Sequence, residues 1–443
     1  MADDGLTTLT ATAAAAEVAR GTFSAEEYSR ACLDRIEAID GEIRAFVHVD
    51  RDSVIAQARA LDERRAERRS IGPLHGVPVA IKDIIDTADY PTELGSPIGA
   101  GRRPRNDATV VAKLRAAGAV IIGKTVTTEF AYFHPGPTRN PHDPARTPGG
   151  SSSGSAAAVA ANMVPLALGS QTNGSVIRPA AFCGVFAAKP SHGLISRAGI
   201  LMLSRKLDHV GAFARSLPDL ALMLDVLAGH DPADADTRPF TAPDFRVVQA
   251  EPPPLPPRFA FVRTPVWDKA TADTKAAFEE LVAALGSAVE PVDLPPSWAE
   301  AWEAHRTIMA TDMAHNLARL AARGETSETL RKLLAHGGSV SAVDYLDALA
   351  GADRYAAGLT DIFEAYDAIL TPAAPGVAPI GLDATGDPAF CTLWTLTGLP
   401  ALTLPLLADE SGLPLGVQLV GPADRDARLL RTATALIEQL RPA

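Results

Sequence analysis

The fold and the chemistry of this chain are decided by two stretches rich in glycine and serine: Gly149-Gly150-Ser151-Ser152-Ser153-Gly154-Ser155 and Gly169-Ser170-Gln171-Thr172-Asn173-Gly174-Ser175-Val176-Ile177-Arg178-Pro179-Ala180. The first follows a proline-rich loop over residues 134–148 and precedes a helix-like run rich in alanine. Long irregular segments inside a compact domain usually carry function. We therefore look for reactive groups in these two stretches.

A lysine that could activate a serine lies upstream of both stretches. Val77-Pro78-Val79-Ala80-Ile81 predicts a short buried strand that ends at Lys82 and Asp83. A serine hydroxyl is a poor nucleophile until a base takes its proton, and a neutral lysine can be that base. Burial can lower a lysine pKa from ~10.4 by ~3–5 units. From these residues alone, Lys82 is equally well a base, a side chain reaching solvent, or a partner of Asp83.

At these residues the chain resembles the amidase signature family of serine hydrolases, and the similarity covers nearly the whole chain. It extends through Lys82-Asp83, Gly123-Lys124-Thr125, Cys183-Gly184, Lys189-Pro190, Gly193, Thr397-Gly398-Leu399-Pro400 and Gly416. The resemblance implies a Ser–cis-Ser–Lys triad. Ser175 is then the nucleophile, Ser151 the bridging serine after a cis Gly150–Ser151 peptide bond, and Lys82 the base.

The second stretch also predicts an oxyanion hole. Thr172, Asn173, Gly174 and Ser175 form a tight turn of small residues, and their backbone N–H groups can converge on a developing negative charge. The family usually has glycine at position 173 and at position 153. Because asparagine tolerates a positive φ better than most residues, we expect Asn173 to keep the turn. The Ser153 side chain either narrows the pocket or adds a hydrogen bond.

Four further residues are candidates for substrate binding. Arg178 either pairs with a substrate carboxylate or has the structural role that the family motif implies. Ser152 is expected to support the proton relay or the oxyanion hole. Tyr132 and Phe133 either line the acyl pocket or pack in the core.

Two other sequence patterns resemble known sites without the structural context those sites need. Gly118 to Thr125 fits the P-loop pattern, but Ala119 to Ile122 prefer a strand, whose N–H groups are already bonded. Gly150 to Gly154 fits the nucleophile-elbow pattern, but a proline-rich loop precedes it instead of a strand. We expect neither nucleotide binding nor a Ser-His-Asp site.

The fold class we predict is α/β, with one large domain over residues 1–443. The resemblance implies a twisted mixed β-sheet core covered by helices on both faces, and alternating strand-like and helix-like runs agree with it. Within this domain we expect N-terminal helices over 1–70, the catalytic core over 74–215, and a mostly helical segment over 297–366 that could cap the substrate side. Ser24 and Glu27 predict a capped helix start.

Composition narrows the class of partner. The chain has 443 residues, and its 41 Lys+Arg and 53 Asp+Glu give a net charge of −12. Direct nucleic-acid binding needs clustered Lys and Arg, so we expect none. No apolar run suits a signal segment or a membrane span, and the three cysteines are far apart. We expect a cytoplasmic protein with no metal, no cofactor and no membrane contact.

The predicted activity is hydrolysis of a carboxamide to a carboxylic acid and ammonia or an amine. Its substrate is a small-molecule amide whose identity these residues do not specify, and association into a homo-oligomer is left open. An alternative is the amidase (A) subunit of a tRNA-dependent amidotransferase, which frees ammonia from glutamine for a partner. A third alternative is a non-catalytic binding protein of the same fold.

Overall fold

One mixed sheet of 11 strands organises the computed structural model, which describes residues 4–441. In chain order the strands are β1 (Phe46–His48), β2 (Pro78–Lys82), β3 (Val120–Thr125), β4 (Leu166–Gln171), β5 (Phe186–Lys189), β6 (His209–Ala214), β7 (Phe259–Arg263), β8 (Val289–Asp293), β9 (Ala368–Pro372), β10 (Ala401–Ala408) and β11 (Pro414–Val420). Across the sheet their order is β1-β3-β2-β4-β6-β5-β10-β11-β9-β7-β8.

The position of β2 in this order determines where the candidate site lies. Strand β2 pairs in parallel with both β3 and β4, with Ile81 opposite Leu168. Parallel pairing also joins β7 to β8 and to β9, and the remaining neighbours are antiparallel. Because parallel strands end at the same edge of a sheet, the carboxyl ends of β2 and β4 lie side by side.

The helices of the described residues connect and cover these strands. They are α1 (Asp4–Thr7), α2 (Ala11–Arg20), α3 (Ala25–Ile43), α4 (Arg51–Ala66), α5 (Thr109–Ala116), α6 (Ser153–Ala160), α7 (Ile177–Cys183), α8 (Leu217–Leu227), α9 (Phe245–Ala250), α10 (Ala272–Leu285), α11 (Ala301–Ala321), α12 (Glu328–Ser339), α13 (Ala342–Gly358), α14 (Thr360–Ala365), α15 (Ala389–Leu396) and α16 (Asp426–Gln439).

Both faces of the sheet are buried, as the alternation along β2 shows. Val79 and Ile81 belong to one apolar cluster, with residues of α5, α8 and α16, whereas Ala80 belongs to another, with residues of α3, α4 and α6. Successive strand residues point to opposite faces, so two clusters on alternate residues mean a sheet covered on both sides. The predicted α/β domain with a mixed sheet and two helical layers is therefore confirmed.

Local predictions agree with the structure at two informative places. The Ser24 hydroxyl accepts a hydrogen bond from the Glu27 N–H (3.0 Å), and the Glu27 carboxylate accepts one from the Ser24 N–H (2.7 Å), forming a capping box. The P-loop-like run is strand β3, and its Lys124 ammonium is buried against Asp83 (3.2 Å) and Thr92 Oγ1 (2.6 Å). The Lys124 ammonium is therefore occupied by contacts in the protein interior.

Two features of other protein classes are absent from the part of the chain that the structure describes. Between residues 4 and 441, no helix combines the length and the apolarity needed to cross a lipid bilayer. The same residues hold no group of three or more His, Cys, Asp or Glu side chains arranged to bind a metal ion.

The start of α6 offers a test of how tightly the glycine-serine stretch is packed. A Cβ atom on Gly154 would lie 2.1 Å from the Ala45 carbonyl oxygen and 2.5 Å from the Val126 nitrogen. We expect Gly154→Ala to lower the free energy of unfolding by about 3 kcal/mol, because backbone atoms must move to make room. Denaturant titration of the purified protein measures this change.

Gly41, near the end of α3, is the matched control. A Cβ at Gly41 meets no atom within 4 Å. Gly41→Ala should therefore leave stability unchanged or raise it by about 0.5–1 kcal/mol, the usual gain when alanine replaces glycine inside a helix. Equal stability of the two variants would contradict the packing argument.

Candidate active site

The amino group of Lys82 lies at the carboxyl end of β2, out of contact with solvent. Its Nζ donates hydrogen bonds to Ser151 Oγ (2.6 Å) and Ser170 Oγ (2.9 Å). The neighbouring Asp83 carboxylate is turned instead to Lys124. Of the roles that the residues alone left open for Lys82, the structure therefore rules out a solvent-reaching side chain and a pair with Asp83.

Ser151 follows a cis peptide bond to Gly150, as the family resemblance implies. It lies in the loop before α6, where its carbonyl oxygen accepts a hydrogen bond from the Thr128 N–H (3.2 Å). The Gly150 carbonyl oxygen accepts one from Arg178 Nη2 (2.7 Å). Backbone contacts on both sides of the cis bond thus hold the Ser151 hydroxyl against Lys82.

Ser175 borders a small cavity next to these groups, in the turn between β4 and α7. Ser151 and Ser175 both line this inner cavity, which has an empty volume of about 320 Å³. The other lining residues are Ala131, Tyr132, Phe133, Thr172, Asn173, Gly174, Arg178, Leu203, Met309, Met313 and Thr385. The structure therefore brings the three predicted triad residues to one place.

The turn over residues 172–175 presents unpaired backbone N–H groups. Within residues 4–441, the N–H groups of Asn173, Gly174 and Ser175 donate no hydrogen bond to the protein. The next two N–H groups, of Val176 and Ile177, both bond to Gln171 Oε1 (2.8 and 3.0 Å). Free donors beside a nucleophile are the arrangement that an oxyanion hole requires.

The turn does not depend on the property of Asn173 from which it was expected. Asn173 does not have a positive φ, so its tolerance of the left-handed region has no part in keeping the turn. Side-chain contacts hold it instead: Thr392 Oγ1 and Thr395 Oγ1, both on α15, donate to the Asn173 side-chain and backbone oxygens (2.8 and 2.5 Å). A helix distant in sequence therefore fixes the conformation that the local residues were expected to set.

The other predicted binding residues divide into two groups. Tyr132, Phe133 and Arg178 line the inner cavity, and the Arg178 guanidinium lies 5.7 Å from the centre of the Phe133 ring. Ser152 does not line it: its hydroxyl is fully buried and bonds to the backbone oxygen and nitrogen of Ser170 (3.2 and 3.3 Å). This position suits Ser152 to supporting Ser170. The Ser153 hydroxyl bonds weakly to the Ser151 carbonyl oxygen (3.4 Å).

Three residues that the sequence reasoning missed hold the site together. Ser170 shares the Lys82 amine with Ser151, and its signal was that it and Gln171 are the two polar residues at the end of the apolar strand β4. Asp208 accepts from Thr172 Oγ1 (2.6 Å) and from the N–H groups of residues 203 and 204. His305, on α11, bonds the Thr172 carbonyl oxygen through Nε2 (2.9 Å). No local sequence pattern distinguishes Asp208 or His305 as a site residue.

Comparison with known proteins identifies the family. Residues 27–430 match the family model described as Amidase. The A subunit of the glutamyl-tRNA(Gln) amidotransferase of Chloroflexus aurantiacus is 39% identical over 470 aligned residues, which cover 96% of each chain. The chain belongs to the amidase family. The corresponding subunit of Salinispora arenicola is 37% identical, with 99% of this amidase-family chain and 98% of the relative covered.

Solved structures agree with this membership in the amidase family. The native peptide amidase of Stenotrophomonas maltophilia is similar with a TM-score of 0.85 at 31% identity, covering 97% of this chain and 96% of that one. A 6-aminohexanoate cyclic dimer hydrolase, solved with its substrate, has a TM-score of 0.87 at 28% identity, covering 99% and 98%. These proteins share the architecture, although their names describe different amide substrates.

Burial sets the charge of the groups in this amidase-family site. It holds the pKa of Lys82 well below its ordinary value, and the attraction of Asp208 opposes that effect only in part. Burial raises the pKa of Asp208 to about 6 and lowers that of His305 to about 4. Arg178, with its pKa lowered to about 10 by burial, stays charged at neutral pH. Lys82 can therefore present a neutral amine to Ser151.

The lowered pKa of Lys82 predicts how the reactivity of Ser175 depends on pH. As the pH falls through that lowered pKa, the amine binds a proton and can no longer accept one. Labelling of Ser175 by a fluorophosphonate should therefore slow, and this decline in rate is the acid limb of the pH profile. Because the Asp208 carboxylate raises the Lys82 pKa, Asp208→Asn should move this acid limb to lower pH. Labelling rates between pH 4 and pH 9 measure both effects.

The effect of Asp208→Asn also shows whether Lys82 or Asp208 is the group whose titration causes the acid limb. If Asp208 itself were the group that titrates, Asp208→Asn would remove the limb instead of moving it. A limb that stays at the same pH in the variant would contradict both assignments.

Proposed function

We propose that this protein hydrolyses a carboxamide to a carboxylic acid and ammonia or an amine, through an acyl-enzyme on Ser175. The observation that carries the proposal is the contact between Lys82 and Ser151. A buried amine, without a carboxylate in contact within residues 4–441, lies 2.6 Å from a hydroxyl that shares a cavity with Ser175. This contact supports the assignment of Lys82 as base, Ser151 as relay and Ser175 as nucleophile.

The chemistry follows from these positions. The neutral Lys82 amine takes the proton of Ser151, and Ser151 takes that of Ser175, whose oxygen forms a bond to the carbonyl carbon. The N–H groups of residues 173–175 stabilise the negative oxygen that develops. The relay returns the proton to the leaving nitrogen as the C–N bond breaks. Water then attacks the ester, and its proton passes back along the same relay to Ser175.

The walls of the inner cavity suit a short acyl group. Leu203, Met309 and Met313 contribute apolar wall, and the serines and the charged Arg178 contribute polar wall. Met309 and Met313 come from α11, so the helical segment that the sequence predicted over 297–366 supplies part of the wall. We propose that this segment covers the substrate side of the site.

Substitution of the nucleophile and of the base tests the proposal. Ser175→Ala should abolish amide hydrolysis, and Lys82→Ala should lower kcat by about 10⁴-fold or more, because the relay then has no base. Ammonia release from a panel of aliphatic, aromatic, dicarboxylic and urea-type amides is the measurement.

The controls are exposed residues of the same types, Ser339→Ala and Lys332→Ala on α12, which should keep the wild-type rate. Near-normal hydrolysis by Lys82→Ala would exclude this lysine as the base. Near-normal hydrolysis by Ser175→Ala would exclude the acyl-enzyme.

The curated relatives favour a more specific form of this activity. Because they belong to a glutamyl-tRNA(Gln) amidotransferase, we propose as a second candidate that the amide is glutamine and that the ammonia passes to a protein partner. An outer cavity next to the inner one supports it. Its lining includes Arg306 and an ion pair between Lys269 and Asp387 (2.7 Å), and a free amino acid needs groups of both signs.

Co-purification and glutaminase assays distinguish the two candidates. A component of an amidotransferase should isolate with partner chains, and its release of ammonia from glutamine should rise when those partners, tRNA and ATP are added. A stand-alone amidase should purify alone and cleave another amide faster than glutamine. Glutamine hydrolysis that does not respond to these additions would count against the amidotransferase.

A further inference from the structure

The side chain of Asn173 lies where the inner cavity meets the outer one. Asn173 lines both cavities, together with Tyr132, Phe133 and Met309. These four residues therefore form the neck that joins the two cavities, through which a substrate bound at Ser175 extends into the outer cavity. Asn173 is the member of this group with a side-chain amide, placed two residues before Ser175 in the chain.

A hydrogen bond to α15 fixes the direction of this amide. Thr392 Oγ1 is 2.8 Å from the side-chain oxygen of Asn173 and 3.3 Å from the Pro388 carbonyl oxygen. In the structure the Thr392 hydroxyl donates to Asn173 Oδ1, and the amide nitrogen is turned the other way.

That nitrogen is an unused donor. Within residues 4–441, Asn173 Nδ2 makes no hydrogen bond to the protein, while Oδ1 and the backbone oxygen of the same residue are both bonded to α15. A polar group held rigidly at a partly buried neck gains most from a matching group on a ligand. A ligand without such a group displaces water from Nδ2 and leaves it unpaired.

We infer that Asn173 is a specificity-determining residue whose Nδ2 donates a hydrogen bond to a second acceptor on the substrate. The preferred substrates are then carboxamides that carry another carbonyl, carboxylate or ureido oxygen a few atoms from the reacting carbon. This inference rests on the proposed amide hydrolysis at Ser175. It adds a substrate class, since a purely aliphatic amide cannot satisfy the donor at the neck.

Matched pairs of amides test this inference. Malonamide, succinamide and glutaramide each carry a second amide oxygen, and 3-methylbutanamide, 4-methylpentanamide and 5-methylhexanamide replace that amide by an isopropyl group of the same shape. Three lengths cover the unknown reach from Ser175 to Nδ2. The measured quantity is the ratio of kcat/KM within each pair, in which any shared change in the reactivity of Ser175 cancels.

The wild-type enzyme should prefer the diamide of at least one pair by about tenfold, the worth of one well-made hydrogen bond. Asn173→Gly removes the donor, so this variant should reduce the preference to about twofold, the statistical factor for two cleavable ends. Thr392→Val, which frees the amide to rotate, should give an intermediate ratio.

The possible outcomes separate this inference from the proposed function. If all amides are cleaved and the ratios are the same in the wild type and in Asn173→Gly at every length, the role of Asn173 is overturned and the proposed function stands. If the wild type cleaves none of the six amides and a fluorophosphonate fails to label Ser175, the proposed function is overturned, and the inference with it.

Discussion

The burial of one amine, Lys82, is the constraint on which the rest of this site depends. A charged ammonium without a carboxylate partner is costly to bury, so the interior favours the neutral form. Two serine hydroxyls, Ser151 and Ser170, replace the water that the amine loses. Any closer countercharge would hold the proton on the lysine. Asp83, the nearest carboxylate in sequence, is bonded to Lys124 instead.

The sheet topology makes this arrangement available. Strands β2 and β4 are parallel neighbours, so Lys82 and Ser170 reach the same edge, and the turn after β4 carries Ser175 to that edge as well. The nucleophile turn is then held from three directions. Asp208 bonds Thr172 from the loop before β6, His305 bonds it from α11, and α15 holds Asn173. Helices distant in sequence therefore shape the turn that carries Ser175.

Most of the site was predictable because its residues are close in sequence or are joined by a specific pattern. The glycine-serine stretches and the family resemblance predicted Lys82, Ser151, Ser175 and the cis bond before Ser151. Residues that contact the turn only through tertiary packing, such as Asp208 and His305, have no local signal. The contacts from α15 that hold Asn173 have no local signal either, and a tolerance of positive φ has no part in the turn.

The amino-acid sequence by itself determined the class of fold, the alternation of buried strands and helices, and the residues able to act as nucleophile, relay and base. These properties follow from side-chain chemistry and from patterns within short segments. Only the tertiary structure decided that Lys82 is buried without a carboxylate, that Ser152 bonds the backbone of Ser170, and that Asn173 has a free donor at the neck. Each of these depends on which distant atoms come within a few ångströms, and local sequence does not encode that.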